Sequence, residues 1–251
     1  MNPTIHWATT LRILTQLRRD RRAMFMIMVV PALITVLFYS TLSLQGPGPG
    51  GLTPYDRLGI FQIAVIPCAV MFPIAAITMR RERAAGTLDR LFTTPLSKLD
   101  LLAGYGTAFA LGALAQAVIV TLVAYRVTEL STQGSPLLVA MVCVLTAVLG
   151  VALGLFFSAF AETEFQAVQF APIVLVPQLF LAGVFIPRDE MPGWLQSVSD
   201  VLPLTYVVDA MQQISANSEA TAQMWRDMGV IVAFIVAAVL GGAATLRRQE
   251  A

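Results

Sequence analysis

Six stretches of this chain carry apolar residues almost without interruption: residues 23–44, 58–79, 101–125, 137–160, 167–186 and 227–246. A hydrocarbon core about 30 Å thick takes about 20 such residues in a helix, so each stretch predicts a transmembrane α-helix. The breaks between them carry turn chemistry. Residues 45–51 read Gln-Gly-Pro-Gly-Pro-Gly-Gly, which no helix accommodates. This linker separates the first two spans. Its alternating prolines and the lack of a following Gly-Lys-Ser/Thr exclude a phosphate loop. The first run is too long for a signal-peptide core and no small-residue cleavage site follows it, so it reads as a retained span.

Three further segments are amphipathic. Before the first span, Trp7, Leu11, Leu14 and Leu17 recur at helical spacing, with Arg12, Thr15, Gln16 and Arg19 on other faces. That pattern fits a helix lying in the membrane interface; the plainer reading is a cluster of topogenic charges. Between the second and third spans, Leu88, Leu91 and Phe92 share a face, with Glu82, Arg83, Asp89 and Arg90 as the charged remainder. Pro95 limits this short helix, and Ser97 is placed to cap the third span. Such a helix suits a groove on a cytoplasmic partner; the plainer reading is a solvated loop. Before the sixth span, Met191, Trp194, Leu195, Val198 and Leu202 recur at helical spacing, bracketed by Pro187, Pro192 and Pro203. Short re-entrant helices and an ordinary amphipathic loop both fit that pattern.

Composition narrows the class. The chain is 57% hydrophobic and only 12% charged, about half the usual charge of a soluble domain, so it cannot cover a soluble surface. A net charge of +1 gives no sign of a nucleic-acid partner. Cys68 and Cys143 both lie in apolar runs and read as small buried hydrophobes. His6 is the single histidine, and alone it makes no metal site. The basic residues are unevenly placed. Arg12, Arg18, Arg19, Arg21 and Arg22 precede the first span, Arg80, Arg81, Arg83, Arg90 and Lys98 lie between the second and third, and Arg247 and Arg248 follow the sixth. The opposite side holds Arg57, Arg126, Arg188 and Arg226. Positive residues stay inside, so both termini and the 80–100 loop are expected in the cytoplasm.

The spans lack ionisable groups in their interiors. Mid-membrane charge costs at least about 2.5–3.5 kcal/mol and is kept for ion or proton coupling, so a proton-driven transporter is disfavoured. An intramembrane hydrolase has no base to use. Gln62, Thr107, Gln116 and Gln178 remain as a candidate path for a hydrophobic or amphiphilic cargo, or as hydrogen bonds between helices. No nucleotide-binding motif occurs, so energy for uphill movement must come from another chain.

Two motifs carry a resemblance. Glu82-Arg-Ala-Ala-Gly-Thr-Leu-Asp-Arg-Leu, then three further residues and Pro95, resembles the Glu-Arg-Glu-x-Gly-Thr-Leu-Glu-x-Leu-x-x-x-Pro stretch of type-2 ABC transporter permeases. Ala84-Ala85 departs from it where the family often carries charge. Pro177 to Pro187, then Met191-Pro-Gly-Trp-Leu195, then Leu202-Pro-Leu-Thr-Tyr206 resembles that family's second hallmark. The nearest flavour is the drug-resistance and antibiotic-exporter branch. The resemblance implies an all-α membrane protein: six transmembrane helices, an N-terminal interfacial helix, a cytoplasmic coupling helix and short external re-entrant helices in one permease domain over 1–251. It implies coupling to an ATPase through Glu82, Gly86, Thr87, Leu88, Leu91 and Pro95. It places Gly183, Pro187, Pro192, Trp194, Pro203 and Tyr206 in the external re-entrant segment. The implied working unit pairs this chain with a second permease subunit, the same or homologous, and with ABC ATP-binding subunits that hold ATP and Mg. The implied setting is the plasma (inner) membrane of a bacterium; an Arg-rich chain with Lys98 as its one lysine also suggests a GC-rich bacterial genome. Export of a lipid-linked polysaccharide, and a scaffold or sensor that moves no cargo, are the competing functions.

Overall fold

The computed structural model describes residues 3–46, 53–86 and 98–248. Nine α-helices follow one another among these residues: α1 (Pro3–Arg19), α2 (Arg21–Leu42), α3 (Pro54–Ala84), α4 (Lys98–Arg126), α5 (Pro136–Phe157), α6 (Glu164–Leu181), α7 (Gly193–Ser199), α8 (Pro203–Ala216) and α9 (Ala222–Arg248). No strand occurs among the described residues. Six helices, α2 to α6 and α9, are long and apolar enough to cross a membrane. The chain is a multi-span membrane protein built as an all-α bundle.

Helix starts follow local chemistry. Asp20 caps α2 by accepting from the N–H groups of Arg22 and Ala23. Thr53 and Asp56 form a reciprocal capping box with Pro54 as the first helical residue of α3. Ser135, followed by Pro136, caps α5 by accepting from the Leu137 N–H, and Thr163 caps α6 by accepting from the Gln166 N–H. The fifth span ends at Leu181, earlier than the apolar run suggests, because Gly183 turns the chain through a φ of +89°. A residue with a Cβ rarely adopts that conformation.

At the centre, α3 lies against α5, and α5 also meets α4 and α9. Apolar attraction is no driving force between helices in lipid, so close packing and small residues take its place. Gly150 and Gly154, one turn apart on α5, let its backbone touch that of α3: a Cβ at Gly150 would sit 2.6 Å from the Cys68 carbonyl oxygen, and one at Gly154 would collide with the Phe72 carbonyl. Cys68 and Cys143 are both free and fully buried. Helices α2, α6 and α9 are peripheral, with less than about a quarter of each apolar stretch buried.

The amphipathic pieces depart from the sequence pattern in two places. Helix α1 packs on α4, and its buried face is Thr9, Thr10, Ile13 and Leu17, leaving Trp7 and Leu11 outside. The apolar stripe is therefore split. The close approach of Thr9 to Gly104, and the Thr10 hydroxyl near the carbonyls of His6 and Gly104 at 3.0 and 3.4 Å, let small hydroxyl residues win the interface. Second, the 191–202 pattern is one short helix, α7, and Leu202 already caps α8. Helix α8 buries Leu204, Val207, Val208, Met211 and Ile214 beside α9 and α3.

Candidate functional site

An apolar groove runs along one flank, between α2, α3 and α6. Two adjoining cavities of about 390 and 440 Å³ share Val65, Ala69 and Leu179. Pro73 and Pro172 line the first; Phe38, Phe61 and Phe185 line the second. Pro67 and Pro73 lie inside α3 and Pro172 and Pro177 inside α6, and of these Pro73 and Pro172 reach the groove. Each interior proline lacks the N–H that would donate to the preceding turn of its helix. Gln62 is the one polar residue among the described lining of the second cavity. The Thr35 hydroxyl donates to the Pro31 carbonyl at 2.9 Å, so its oxygen is left to accept from Gln62 Nε2 at 3.4 Å. The other amide atom, Gln62 Oε1, is buried without a partner.

The remaining candidate path residues lie elsewhere. Gln178 is a clamp: its Nε2 donates to the Val174 carbonyl at 3.0 Å, and its Oε1 accepts the Leu204 N–H at 3.3 Å. Thr107 donates to the Ala103 carbonyl and lies 3.3 Å from His6 Nε2. Gln116 is fully buried, with neither amide atom partnered, and lines neither cavity. The structure does not gather the four into one path.

Beyond Gly183 the chain folds back around Arg188. Its Nη1 contacts Asp209 at 2.8 Å and its Nη2 contacts Asp200. A Cβ at Gly183 would press on the Arg188 stem at 3.2 Å. Asp227, 0% exposed, lies on α9 with one oxygen paired to Arg226 and the other unpartnered. Burial holds the Asp209 carboxyl above its ordinary range; Asp227 adds to this, and Arg188 and Arg226 oppose it. Tyr206 donates to the Asp200 carbonyl at 2.7 Å, and the Ser199 hydroxyl donates to the Leu181 carbonyl at 2.9 Å. Pro187 precedes a 3₁₀ turn, Pro192 precedes α7, and Pro203 is the first residue of α8. Trp194 is exposed. Sequence reasoning missed this charge cluster and α8. The Val207, Val208, Met211, Ile214 spacing signalled the helix; nothing local signalled the partners of Arg188.

At the far end of α3, Glu82 turns inward. It is 6% exposed and lies 3.7 Å from Arg12 of α1, which also donates to the Tyr105 hydroxyl at 3.1 Å. Gly86, at φ +63°, directly follows Ala85, the cap of α3, and its N–H donates to the Arg83 carbonyl at 3.2 Å. A glycine in this conformation is a common helix stop. Thr87, Leu88, Leu91 and Pro95, with Asp89, Arg90, Phe92 and Ser97, lie outside the described residues. Among the described residues, no group of three or more His, Cys, Asp or Glu side chains is placed to hold a metal.

A six-span bundle with an apolar flank groove and charged ends is the architecture of a membrane permease. Residues 6–215 match the family described as ABC-2 type transporter, and the chain belongs to that family. It is similar to the "Probable multidrug ABC transporter permease YbhR" of Escherichia coli (strain K12), 26% identical over 72% of this chain and 49% of that protein. It is similar to the "Linearmycin resistance permease protein LnrN" of Bacillus subtilis (strain 168), 25% identical over 87% of this chain and 55% of that one. It also resembles "Nodulation protein J" of Rhizobium leguminosarum bv. viciae, 24% identical over 78% of this chain and 75% of that protein. The chain spans about half the length of YbhR and LnrN.

Proposed function

We propose that this chain is the permease subunit of an ATP-driven exporter that moves a hydrophobic or amphiphilic, drug-like or antibiotic-like molecule out of a bacterial cell. The apolar groove of α2, α3 and α6 carries the reading, because a path with one amide and no charge suits a greasy cargo and no ion. Two relatives bear multidrug and linearmycin-resistance names, which supports the same cargo class. Residues 1–251 act as one permease domain beside a second permease subunit, whose contact the exposed apolar faces of α2 and α6 suit. ATP and Mg are held by partner ATP-binding subunits. Helix α1 lies in the cytoplasmic interface, and the Arg188-centred segment is the external re-entrant cover.

Residues 82–92 form the coupling element in this proposal, with Leu88 as the apolar anchor in the ATPase groove. Gly86 supplies the bend, and Glu82 acts by tying the element to α1. Leu88→Asp removes an anchor worth about 1.5–3 kcal/mol and adds an unpaired charge. Association with the ATPase is expected to weaken by about tenfold to a hundredfold, with normal insertion, measured by co-purification and by cargo-stimulated ATP hydrolysis. Retention of both sinks the assignment.

In the proposed orientation both termini and residues 80–100 face the cytoplasm, and 45–57 and 187–226 face outward. Ser97→Cys and Ser218→Cys test it with an impermeant thiol reagent added to intact cells. Ser218→Cys is expected to react and Ser97→Cys to stay silent. Cys68 and Cys143 are fully buried and give no background. Labelling of Ser97→Cys from outside reverses the topology.

A further inference from the structure

Helix α3 runs for 31 residues, about 46 Å, against a hydrocarbon core about 30 Å thick. Its last turns therefore extend to the headgroup level. Three arginines crowd that end, and their partners differ. Arg81 is neutralised: it pairs with Glu164 at 2.9 Å and with Asp20 at 4.0 Å. Arg80 donates to the Glu162 carbonyl through both Nε and Nη2, and Arg83 donates to the Ser158 carbonyl at 3.3 Å. Neither has a carboxylate within ion-pair distance among the described residues. Arg83 Nε is buried with no partner.

Arg80 and Arg83, three apart and so on one face, line a single cavity of about 450 Å³ with Ala159, Phe160, Ala161 and Glu162. The cavity sits where α3 meets the turn between α5 and α6. Phe160, on its rim, is exposed and leads into an aromatic strip. Its ring lies 5.4 Å from Phe156, and Phe157 contacts Phe72 at 5.7 Å and Phe170 at 5.5 Å. Phe165, just inside α6, is also exposed.

We propose that the Arg80–Arg83 cavity binds the phosphate of an anionic phospholipid, with an acyl chain lying along the Phe156–Phe160 strip. Two guanidiniums whose hydrogen-bond partners are neutral carbonyls carry charge that no carboxylate offsets among the described residues, and phosphate is the membrane-level anion that matches them. The continuity of charge and apolar strip suits a molecule with an anionic head and a greasy tail better than a free anion. The Glu162 side chain is exposed and its carboxylate pairs with neither arginine among the described residues, so it leaves the attraction in place. This site lies apart from the α2, α3, α6 groove, and it rests on the part of the proposed coupling element before Gly86, where Arg83 is still in α3, staying beside the membrane.

The test reconstitutes the full chain in nanodiscs of phosphatidylglycerol or phosphatidylcholine and counts retained lipid by native mass spectrometry after detergent extraction. Phosphatidylglycerol is expected to be retained, and Arg80→Gln/Arg83→Gln to lower its retention by about tenfold or more. Arg126→Gln, an exposed arginine near the opposite membrane face, is expected to change nothing. Matched size-exclusion profiles establish that the double variant folds; if it does not, the comparison of the two lipids on the unaltered chain decides. Equal retention of the two lipids, or retention untouched in a folded double variant, overturns the proposal. Displacement by millimolar inorganic phosphate makes it a free-anion site, and displacement by the co-expressed ATPase makes it a protein contact; either also overturns it.

Discussion

Replacing Gly154 by leucine should leave little folded, monodisperse protein in detergent. A Cβ at this position would strike the Phe72 carbonyl and come within 3.1 Å of Ala75 Cβ and Ala76 N. The obstacle is backbone, which cannot rotate away as a side chain does. Accommodation requires α5 to move off α3, the pair that forms the bundle centre. The buried residues that meet there, Cys68, Phe72, Ala75 and Leu149, lose their close contacts, and in lipid no hydrophobic force draws the helices together again. The expected penalty is at or beyond the top of the usual overpacking range, about 3 kcal/mol, read as lost thermal stability by fluorescence size-exclusion. Gly154→Ala should fall in the same direction by less. Gly106→Ala supplies the opposite sign: a Cβ there meets nothing within 4 Å, so alanine's better helix propensity should stabilise by up to about 1 kcal/mol. Equal stability of Gly154→Leu and the unaltered chain would show that α3 and α5 do not pack through their backbones.

Arg188→Leu should release the segment between Gly183 and Leu202. One guanidinium holds Asp200 and Asp209 together, beside the fully buried Asp227. Removing it leaves a half-buried carboxylate with no partner. Breaking a fully buried pair costs about 3–5 kcal/mol. Asp200 is open to solvent and Asp209 only partly buried, so the low end of that range applies. Hydrogen exchange is expected to speed up in α7 and the turn before it, with thermal stability reduced. The pH dependence has a definite sign. The Asp209 carboxyl is already raised by burial and by Asp227, against the pull of Arg188. Without Arg188 it rises further. A carboxyl whose folded pKa exceeds its unfolded one favours the folded state when protonated. The variant's stability is therefore expected to recover as pH falls through the raised folded pKa toward the unfolded value. Arg188→Leu/Asp209→Leu should recover stability without any change of pH. A variant as stable as the parent at neutral pH, with unchanged exchange in α7, would remove Arg188 from its role as the tie.

The spans were legible because a bilayer imposes one long-range rule on every segment: about 20 apolar residues with the backbone satisfied internally. The six apolar runs therefore correspond to α2 to α6 and α9, and mild end shifts trace to caps such as Thr53 and to the positive φ of Gly183. The left-handed conformation of Gly86 after the α3 cap came only from the structure, since the motif marked that glycine by resemblance alone.

The sequence by itself thus determined the fold class, the span count and the family, because period, length and motif order are local or one-dimensional properties. Only the tertiary structure decided partners. Spacing on α1 put Trp7, Leu11, Leu14 and Leu17 on one apolar face, yet Leu17 is buried beside Thr9 and Thr10 while Trp7 and Leu11 stay exposed, because Gly104 on another helix admits the threonines. Gln62 and Gln178 look alike in sequence, but one lines the groove and the other clamps the start of α8. Arg80, Arg81 and Arg83 stand almost side by side, and their difference is made by where residues 158–164 return. A side chain's charge is written in its own residue; its compensation depends on segments tens of residues away, which only the packed bundle brings within a few ångströms.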